Sequence, residues 1–228
     1  MKITWLGQAG LLFEGAGLTV MIDPYLSDSV GKKSPALSRR VPVEERFFDL
    51  CPDVMIFTHD HLDHYDPETA PRFFAKTEKK MVVLCPSSVW QKARAHEGGH
   101  NYVEFNRYTE WTEGELRFTA VKAAHSDPFA IGVLIEDLSE GKVYYVTGDT
   151  LYNREILRDL PDRIDVILLP VNGAGNNMNM ADGARFAKAS GARLAVPLHC
   201  GLFDALDPNG FPLREKVVPK FFKEIELT

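Results

Sequence analysis

The stretch FTHDHLDHYD, residues 57–66, decides how this chain is interpreted. It contains three of the seven histidines in the chain, together with three aspartates. His59 and His61 are two positions apart after an apolar run, and residues i and i+2 of an extended segment point the same way. Asp63 and His64 follow at once, whereas a zinc site on a helix would space its histidines four apart. The pattern predicts a metal site at the end of a strand and argues against a merely charged loop.

Four other apolar runs also end in a residue that can bind or orient a metal ion. These residues are Asp23, His125, Asp149 and His199. Strands are rigid, so the side chains that follow them have fixed directions. Together with residues 57–66 they supply enough ligands for two divalent ions, which a carboxylate such as Asp149 could bridge about 3.5–4 Å apart. We expect Asp23 to orient an imidazole rather than to bind metal itself.

Three further polar residues are expected to have ordinary structural roles. His96 and His100 have no strand end or carboxylate partner beside them, so we expect neither at the site. Cys200 directly follows His199, and a thiolate there could face the pocket. A buried, apolar thiol is the simpler interpretation of Cys200, because free cysteines are among the most buried residues.

Length and composition indicate a globular protein of one domain, residues 1–228. Hydrophobic residues make up 45% and charged residues 25% of the chain, and no low-complexity linker divides it. The net charge of −6 argues against nucleic acid as a partner. Three cysteines without a CxxC pair favour a reducing compartment. With no signal peptide and no apolar span of roughly 20 residues, we expect a cytoplasmic protein that does not bind membranes.

The order of apolar runs predicts two packed sheets with helices outside them, an α/β architecture. The first runs, separated by glycines, favour an antiparallel meander. Helices are expected over residues 86–99, 153–160 and 179–192, the last capped by Asn179 and ended by Gly191. A further helix is expected within residues 213–227, limited by Pro219. Its apolar stretch VVPKFF either packs on the sheet or supports a homo-oligomer.

With these residues in place, the sequence resembles the metallo-β-lactamase-fold hydrolases. Their motif T-H-x-H-x-D-H is matched by residues 58–64, and Asp23, His125, Asp149 and His199 match the other family positions. The runs ITWLGQAGLLFE and AVPLH make the ascorbate-6-phosphate lactonase-like branch the most similar one. The resemblance implies a four-layer αββα sandwich and a metal-dependent hydrolase.

The resemblance also implies how the ligands are shared between two ions. His59, His61 and His125 would hold one ion, and Asp63, His64 and His199 would hold the other, with Asp149 between them. The two ions would be Zn²⁺ or Mn²⁺. Asp63 is also the expected catalytic residue, because it could orient the attacking hydroxide or accept its proton.

The expected reaction is attack by a metal-activated hydroxide on a small, anionic substrate such as a lactone or a phosphate ester. Two metal ions that share a water would lower its pKa from near 15.7 toward about 7. A phosphodiesterase or nuclease acting on nucleotides or nucleic acid is the alternative, and a non-enzymatic metal-binding protein is a third. The leaving group needs a proton donor, for which the neighbouring candidates are Tyr65, Asn172, Asn176 and Asn177; packing is the simpler role for Tyr65.

Overall fold

The first of two sheets is built from the N-terminal half of the chain. The structure, a computed structural model, describes residues 1–96 and 98–227. The six strands lie side by side in chain order: β1 (Lys2–Gly7), β2 (Gly10–Gly15), β3 (Leu18–Ile22), β4 (Val54–Ile56), β5 (Val82–Cys85) and β6 (Asn101–Glu104). The first three form the predicted antiparallel meander, and β3 to β6 pair in parallel.

The second sheet also has six strands, which again lie side by side in chain order. Its strands are β7 (Glu110–Glu113), β8 (Leu116–Lys122), β9 (Ile131–Asp137), β10 (Lys142–Val146), β11 (Ile164–Pro170) and β12 (Ala192–Leu198), with β12 and β7 at the two edges. Strands β7 to β10 are antiparallel, and β10 to β12 are parallel. Strands β8, β10 and β12 therefore run in one direction and end at the same side of this sheet.

Side chains alternate between two apolar layers, as expected for strands buried on both faces. In β2, Leu11 and Phe13 belong to the core between the sheets, whereas Leu12 belongs to a second cluster. That second cluster includes side chains of helices α2 (Thr69–Phe74) and α3 (Ser87–Ala93). Helix α4 (Met180–Ala189) packs against β11 and β12. The predicted αββα sandwich is confirmed.

Five strands deliver the residues that the sequence singled out. Asp23 follows the last residue of β3 directly, and His199 follows the last residue of β12. His59, His125 and Asp149 each lie three positions beyond the ends of β4, β8 and β10. The short linkers keep these side chains close to rigid backbone, which is what a site of fixed geometry requires.

Helix α4 begins and ends as predicted, but two other helices do not. The side chain of Asn179 accepts a hydrogen bond from the backbone N–H of Asp182 at 2.9 Å, and Gly191 has a positive φ of 73°. Residues 153–160 contain only a 3₁₀ turn, Ile156–Arg158, so the helix predicted there is wrong. The helix predicted over residues 86–99 ends at Ala93, and position 97 lies outside the described residues.

The helix predicted within residues 213–227 is also wrong. This segment is irregular and lies along the outer edges of both sheets: Val217 N donates to Ala195 O at 2.9 Å, and Ile225 N donates to Ile3 O at 2.8 Å. An uncovered edge strand exposes unpaired backbone groups, and this segment pairs with some of them. Strands β6 and β7 were not predicted. Within the described ranges, no helix has both the length and the apolarity to cross a membrane.

Candidate metal centre

Three imidazoles meet at one end of the site, and we call them the imidazole group: His59, His61 and His125. One nitrogen from each lies within 4.8 Å of the others. His125 Nε2 is 3.1 Å from His61 Nδ1, and the ring of His59 lies 4.6 Å and 4.7 Å from the other two rings. Three nitrogens this close together could all bind a single metal ion.

Two imidazoles and a carboxylate meet at the other end, and we call them the mixed group: Asp63, His64 and His199. Their ligand atoms also lie within 4.8 Å of one another. His199 Nε2 is 3.2 Å from Asp63 Oδ2, and the rings of His64 and His199 are stacked with centroids 5.5 Å apart. The second set is more deeply buried than the first, since His64 is fully buried and His199 is 5% exposed.

Asp149 lies between the two groups. Its Oδ2 is 3.3 Å from His64 Nε2 and 3.3 Å from His199 Nε2, and it accepts a hydrogen bond from Asn177 Nδ2 at 2.8 Å. Asp149 also forms a third close set with His59 and His64. All seven predicted ligands are therefore brought together, and their assignment to two ions stays a prediction.

The residues present fit divalent metal ions. His59 Nε2, His64 Nε2 and Asp149 Oδ1 are buried and have no hydrogen-bond partner in the part of the chain that the structure describes. Buried polar atoms without a partner are costly, so their collection in one place indicates a missing ligand. Imidazole nitrogen and carboxylate oxygen are ligands that both zinc and manganese accept.

Asp23 takes the position predicted for a residue that orients an imidazole. Its Oδ2 lies 2.7 Å from His64 Nδ1 and accepts a hydrogen bond from the Thr58 hydroxyl at 2.6 Å. Its Oδ1 accepts the backbone N–H of Thr58 at 2.8 Å. With Nδ1 of His64 held by a carboxylate, Nε2 is the nitrogen left to face Asp149.

Gln8 belongs to the site although the sequence did not single it out. Its amide Nε2 donates to Asp63 Oδ2 at 2.9 Å and lies 3.2 Å from His199 Nδ1. Gln8 is 1% exposed and has a positive φ of 48° in the turn between β1 and β2. A non-glycine residue in this conformation is uncommon and often serves a function.

The protonation preferences of the two groups differ. Burial, together with the neighbouring His64, holds the pKa of His59 well below its ordinary value, and burial also lowers the pKa of His125. Burial opposes the charge on His64 as well, but the carboxylates of Asp149 and Asp23 raise its pKa well above the ordinary value. His59 and His125 therefore favour the neutral ring, and His64 favours the charged one.

Burial and the neighbouring charges also act in opposite directions on the pKa values of the other members of the mixed group and of Asp149. Burial is outweighed by Asp149 and Asp63, which raise the pKa of His199 to about 10. Burial of Asp63 and of Asp149 is likewise outweighed by the facing histidines, so both carboxyl groups have pKa values below the ordinary range. Without metal, this end of the site is a compact network of ion pairs.

Of the residues considered as proton donors to the leaving group, the asparagines lie at the site and Tyr65 lies away from it. Asn172 Nδ2 lies 3.1 Å from His199 Nδ1, and His125 Nδ1 lies 3.3 Å from the backbone carbonyl of Asn176. Tyr65 packs edge-on against Phe57, as the simpler interpretation predicted.

Cys200 and His100 have the structural roles expected for them. Cys200 is 1% exposed, and burial raises the pKa of its thiol to about 12, so it stays a thiol at neutral pH. His100 is buried with Nε2 3.0 Å from the backbone carbonyl of Phe74, and His96 packs on the Phe74 ring. Neither histidine is part of the metal centre.

A cavity of about 310 Å³ opens beside the metal centre. Its lining residues come from the site and from three loops: Gln8, Val30, Leu37, His61, Asp63, Asp149, Asn172, Ala174, Gly175, Asn177, His199, Phe203 and Asp204. A concave space beside convergent polar groups is the usual form of a small-molecule site.

Comparison with known families identifies the class of protein. The family model described as β-lactamase superfamily domain matches residues 19–200. The chain therefore belongs to the β-lactamase superfamily. The more particular likeness to the ascorbate-6-phosphate lactonase-like branch is not distinguished by this match.

Individual relatives extend the likeness over almost the whole chain. A Geobacillus thermodenitrificans protein named UPF0173 metal-dependent hydrolase is 30% identical over 233 residues, covering 92% of this chain and 91% of the relative. A protein of the same name from Nitratidesulfovibrio vulgaris is 26% identical over 218 residues, covering 95% and 87%. The enzyme class predicted from the sequence, metal-dependent hydrolase, is confirmed at the level of the family.

A solved structure agrees in fold. Igni18, described as a novel metallo hydrolase from the archaeon Ignicoccus hospitalis, matches with a TM-score of 0.76 at 22% identity, covering 98% of this chain and 96% of Igni18. This likeness supports the sandwich architecture described above.

Proposed function

We propose that this chain is a hydrolase of a small molecule, acting on an ester-type bond such as that of a lactone or a phosphate ester. The observation that carries the proposal is the convergence of seven metal-ligand side chains, with buried unpartnered atoms, beside a cavity of about 310 Å³. His59, His61 and His125 would hold one divalent ion, zinc or manganese, and Asp63, His64 and His199 would hold the other, with Asp149 between them. When bound, such ions supply Lewis acidity, which lowers the pKa of water and polarises the bond to be broken.

Asp63 is the side chain that we propose to act on the attacking water. It lines the cavity, and its side chain is 17% exposed compared with 6% for Asp149. The facing histidines keep its carboxyl group ionised, although burial opposes this. A carboxylate with a lowered pKa is a weak base but a good hydrogen-bond acceptor, so Asp63 would orient water more than it would remove a proton.

Other residues of the chain would position the substrate. Asn172 and Asn177 line the cavity, and each has a buried side-chain oxygen without a partner in the described structure. These amide oxygens can accept hydrogen bonds from hydroxyl or N–H groups of a substrate, since the Nδ2 atoms already contact Asp149 and His199. Tyr65 is buried in apolar contacts away from the cavity, so we no longer propose it as the donor to the leaving group.

The sequence motifs support a place near the ascorbate-6-phosphate lactonase-like branch. A phosphodiesterase or nuclease remains the alternative, and the cavity argues against it, because the described lining contains no lysine or arginine. We also propose a cytoplasmic location, in keeping with three free cysteines. The C-terminal stretch VVPKFF suggested a homo-oligomer, but its Phe221 packs within the chain, with its ring stacked on Trp5 at a centroid distance of 4.3 Å.

The proposal is tested by metal analysis of the purified protein together with a panel of lactones, phosphodiesters and thioesters. We expect about two divalent ions per chain and turnover of a lactone or an ester that stops when a chelator removes the metal. His61→Ala should lose metal and activity together, and Lys188→Ala, on the exposed side of α4, is the matched control. Full activity in metal-free protein would contradict the proposal.

A further inference from the structure

The cavity beside the metal centre has two unlike walls. One wall is the metal centre itself with its asparagines. Three further lining residues, which we call the apolar wall, come from outside the metal centre: Val30 from helix α1 (Ser29–Lys33), Leu37 from the 3₁₀ turn Pro35–Leu37, and Phe203 from the loop after β12. Leu37 is 43% exposed, so its side chain is accessible to a ligand in the cavity.

No cation faces this wall among the residues that the structure describes. The cavity lining contains no lysine or arginine, and its charged group outside the metal centre is the carboxylate of Asp204. Arg39 lies two residues after Leu37 but is not among the lining residues. Its Nη1 donates to the Tyr25 carbonyl at 2.8 Å and its Nε to the Val41 carbonyl at 3.1 Å, and its buried Nη2 has no partner in the described structure.

Backbone hydrogen bonds and an aromatic contact hold the apolar wall in place. The backbone N–H of Arg39 donates to Asp28 Oδ1 at 3.0 Å, and that of Arg40 donates to the Leu202 carbonyl at 2.9 Å. The ring of Phe203 packs edge-on against Tyr25 with centroids 5.6 Å apart. A wall that is already formed does not have to be ordered when a ligand binds, so its contacts contribute fully to affinity.

We propose that the substrate carries an uncharged, apolar group that packs on Val30, Leu37 and Phe203 while its scissile bond lies at the metal centre. This inference rests on the proposed function and narrows the class of substrate. The anionic substrate expected from the sequence would meet Asp204 and no lysine or arginine in the cavity lining. A cavity of about 310 Å³ lies at the small end of the range for ligand pockets, about 300–1,000 Å³. The apolar group is therefore a short alkyl chain or a small ring.

Two non-hydrolysable probes with the same metal-binding head test the wall. Hexanohydroxamate ends in a methyl group, and adipate monohydroxamate has a carboxylate in place of that methyl. We expect hexanohydroxamate to bind the metal-loaded protein at least about tenfold more tightly in calorimetry, because its methyl gains from burial whereas the carboxylate of the other probe would lose water beside apolar side chains and Asp204. In metal-free protein we expect the same order with weaker binding, so the comparison does not depend on the metal.

Leu37→Lys tests the same wall from the protein side. Leu37 is half-exposed, so a lysine is accommodated without disturbing the fold. The variant should shift the ratio of the two dissociation constants by about two- to fivefold toward the carboxylate probe, which is the effect of an exposed ion pair. Leu138→Lys is the matched control, because Leu138 is 46% exposed and does not line the cavity; its ratio should equal that of the parent protein.

The outcomes separate this inference from the proposed function. Equal affinities, a preference for the carboxylate probe, no binding of either probe, or the same ratio in both leucine variants would overturn the apolar wall. Binding in the expected order without hydrolysis of any compound in the substrate panel would contradict the proposed function alone. Hydrolysis combined with a preference for the carboxylate probe would leave the hydrolase standing and remove the apolar wall.

Discussion

The imidazole group and the mixed group lie side by side but are supported in different ways. In the imidazole group, two of the three rings have lowered pKa values, and His61 and His125 are only half-buried. The mixed group is held by a carboxylate behind His64 and by the Gln8 amide, and its charges compensate one another. Metal binding needs neutral imidazole. The imidazole group is thus prepared for an ion, whereas the mixed group must first release protons.

The difference also concerns what each group contributes to the fold without metal. The mixed group replaces the missing ion with its own protons, so its ion pairs stabilise the metal-free protein. The imidazole group has no carboxylate among its members, and the described structure shows no such ion pair within it. Buried atoms without a hydrogen-bond partner occur in both groups, His59 Nε2 in one and His64 Nε2 in the other. We therefore expect substitutions in the two groups to affect metal binding alike and stability differently.

The largest effect is expected for Asp149→Ala, which removes the residue that both groups share. Metal content should fall from about two ions per chain to less than one, and the rate of hydrolysis should fall at least about a thousandfold. Elemental analysis and steady-state kinetics measure both. Asp182→Ala, which changes an exposed aspartate on α4, is the control and should leave both values unchanged. Two bound ions in the Asp149 variant would contradict its place between the groups.

A second prediction compares His64→Ala with His61→Ala in metal-free protein. Without His64, the buried carboxylates of Asp23 and Asp149 lose their partner, so the free energy of unfolding should fall by roughly 3 kcal/mol or more. His61 is half-buried, and its loss should change the free energy of unfolding by about 1 kcal/mol or less. Denaturant unfolding gives both values, and equal losses would remove the proposed contrast between the groups.

A smaller effect is expected for Gln8→Ala, which removes a donor to Asp63. The affinity of the mixed group for zinc should fall about tenfold, and that of the imidazole group should not change, since contacts behind a ligand typically tune it by this amount. Competitive titration with a chelator resolves the two affinities. Gln91→Ala on α3 is the matched control. Equal weakening of both sites would show that Gln8 supports the fold as a whole.

The most gradual expected effect is the pH dependence of stability in the metal-free protein. The pKa of His199 is raised from 6.5 to about 10, so the stabilisation that it provides is complete below pH 6.5 and is lost as the pH rises toward 10. The pKa values of Asp63 and Asp149 are lowered from 3.8, so their contribution is present above that pH and lost below it. The lowered pKa values of His59 and His125 reduce stability as the pH falls below 6.5, so denaturation in urea should show the highest stability at about pH 6.5. His199→Asn should weaken the decline on the alkaline side.

Much of the site was predictable because it follows from strand ends. His125 and His199 each follow an apolar run, and a run that becomes a strand fixes where the next polar side chain lies. Gln8 was not predictable in this way, because its role depends on a turn with positive φ and on a partner 191 positions away. No local pattern in the sequence carries that information.

The errors in the predicted secondary structure have a similar physical origin. The apolar pairs in VVPKFFKEI fit a helix locally, but the edges of β1 and β12 present unpaired backbone groups that this segment satisfies instead. The conformation of this segment therefore depends on the sheet edges of the folded sandwich and not on local helix preference. The single-domain extent of residues 1–228 stays a prediction.

The most direct test of the central claim is anomalous diffraction from zinc-loaded crystals of the protein. We expect two peaks, one among His59, His61 and His125 and the other among Asp63, His64 and His199, with Asp149 beside both. A single peak, or peaks away from these side chains, would contradict the two-ion centre.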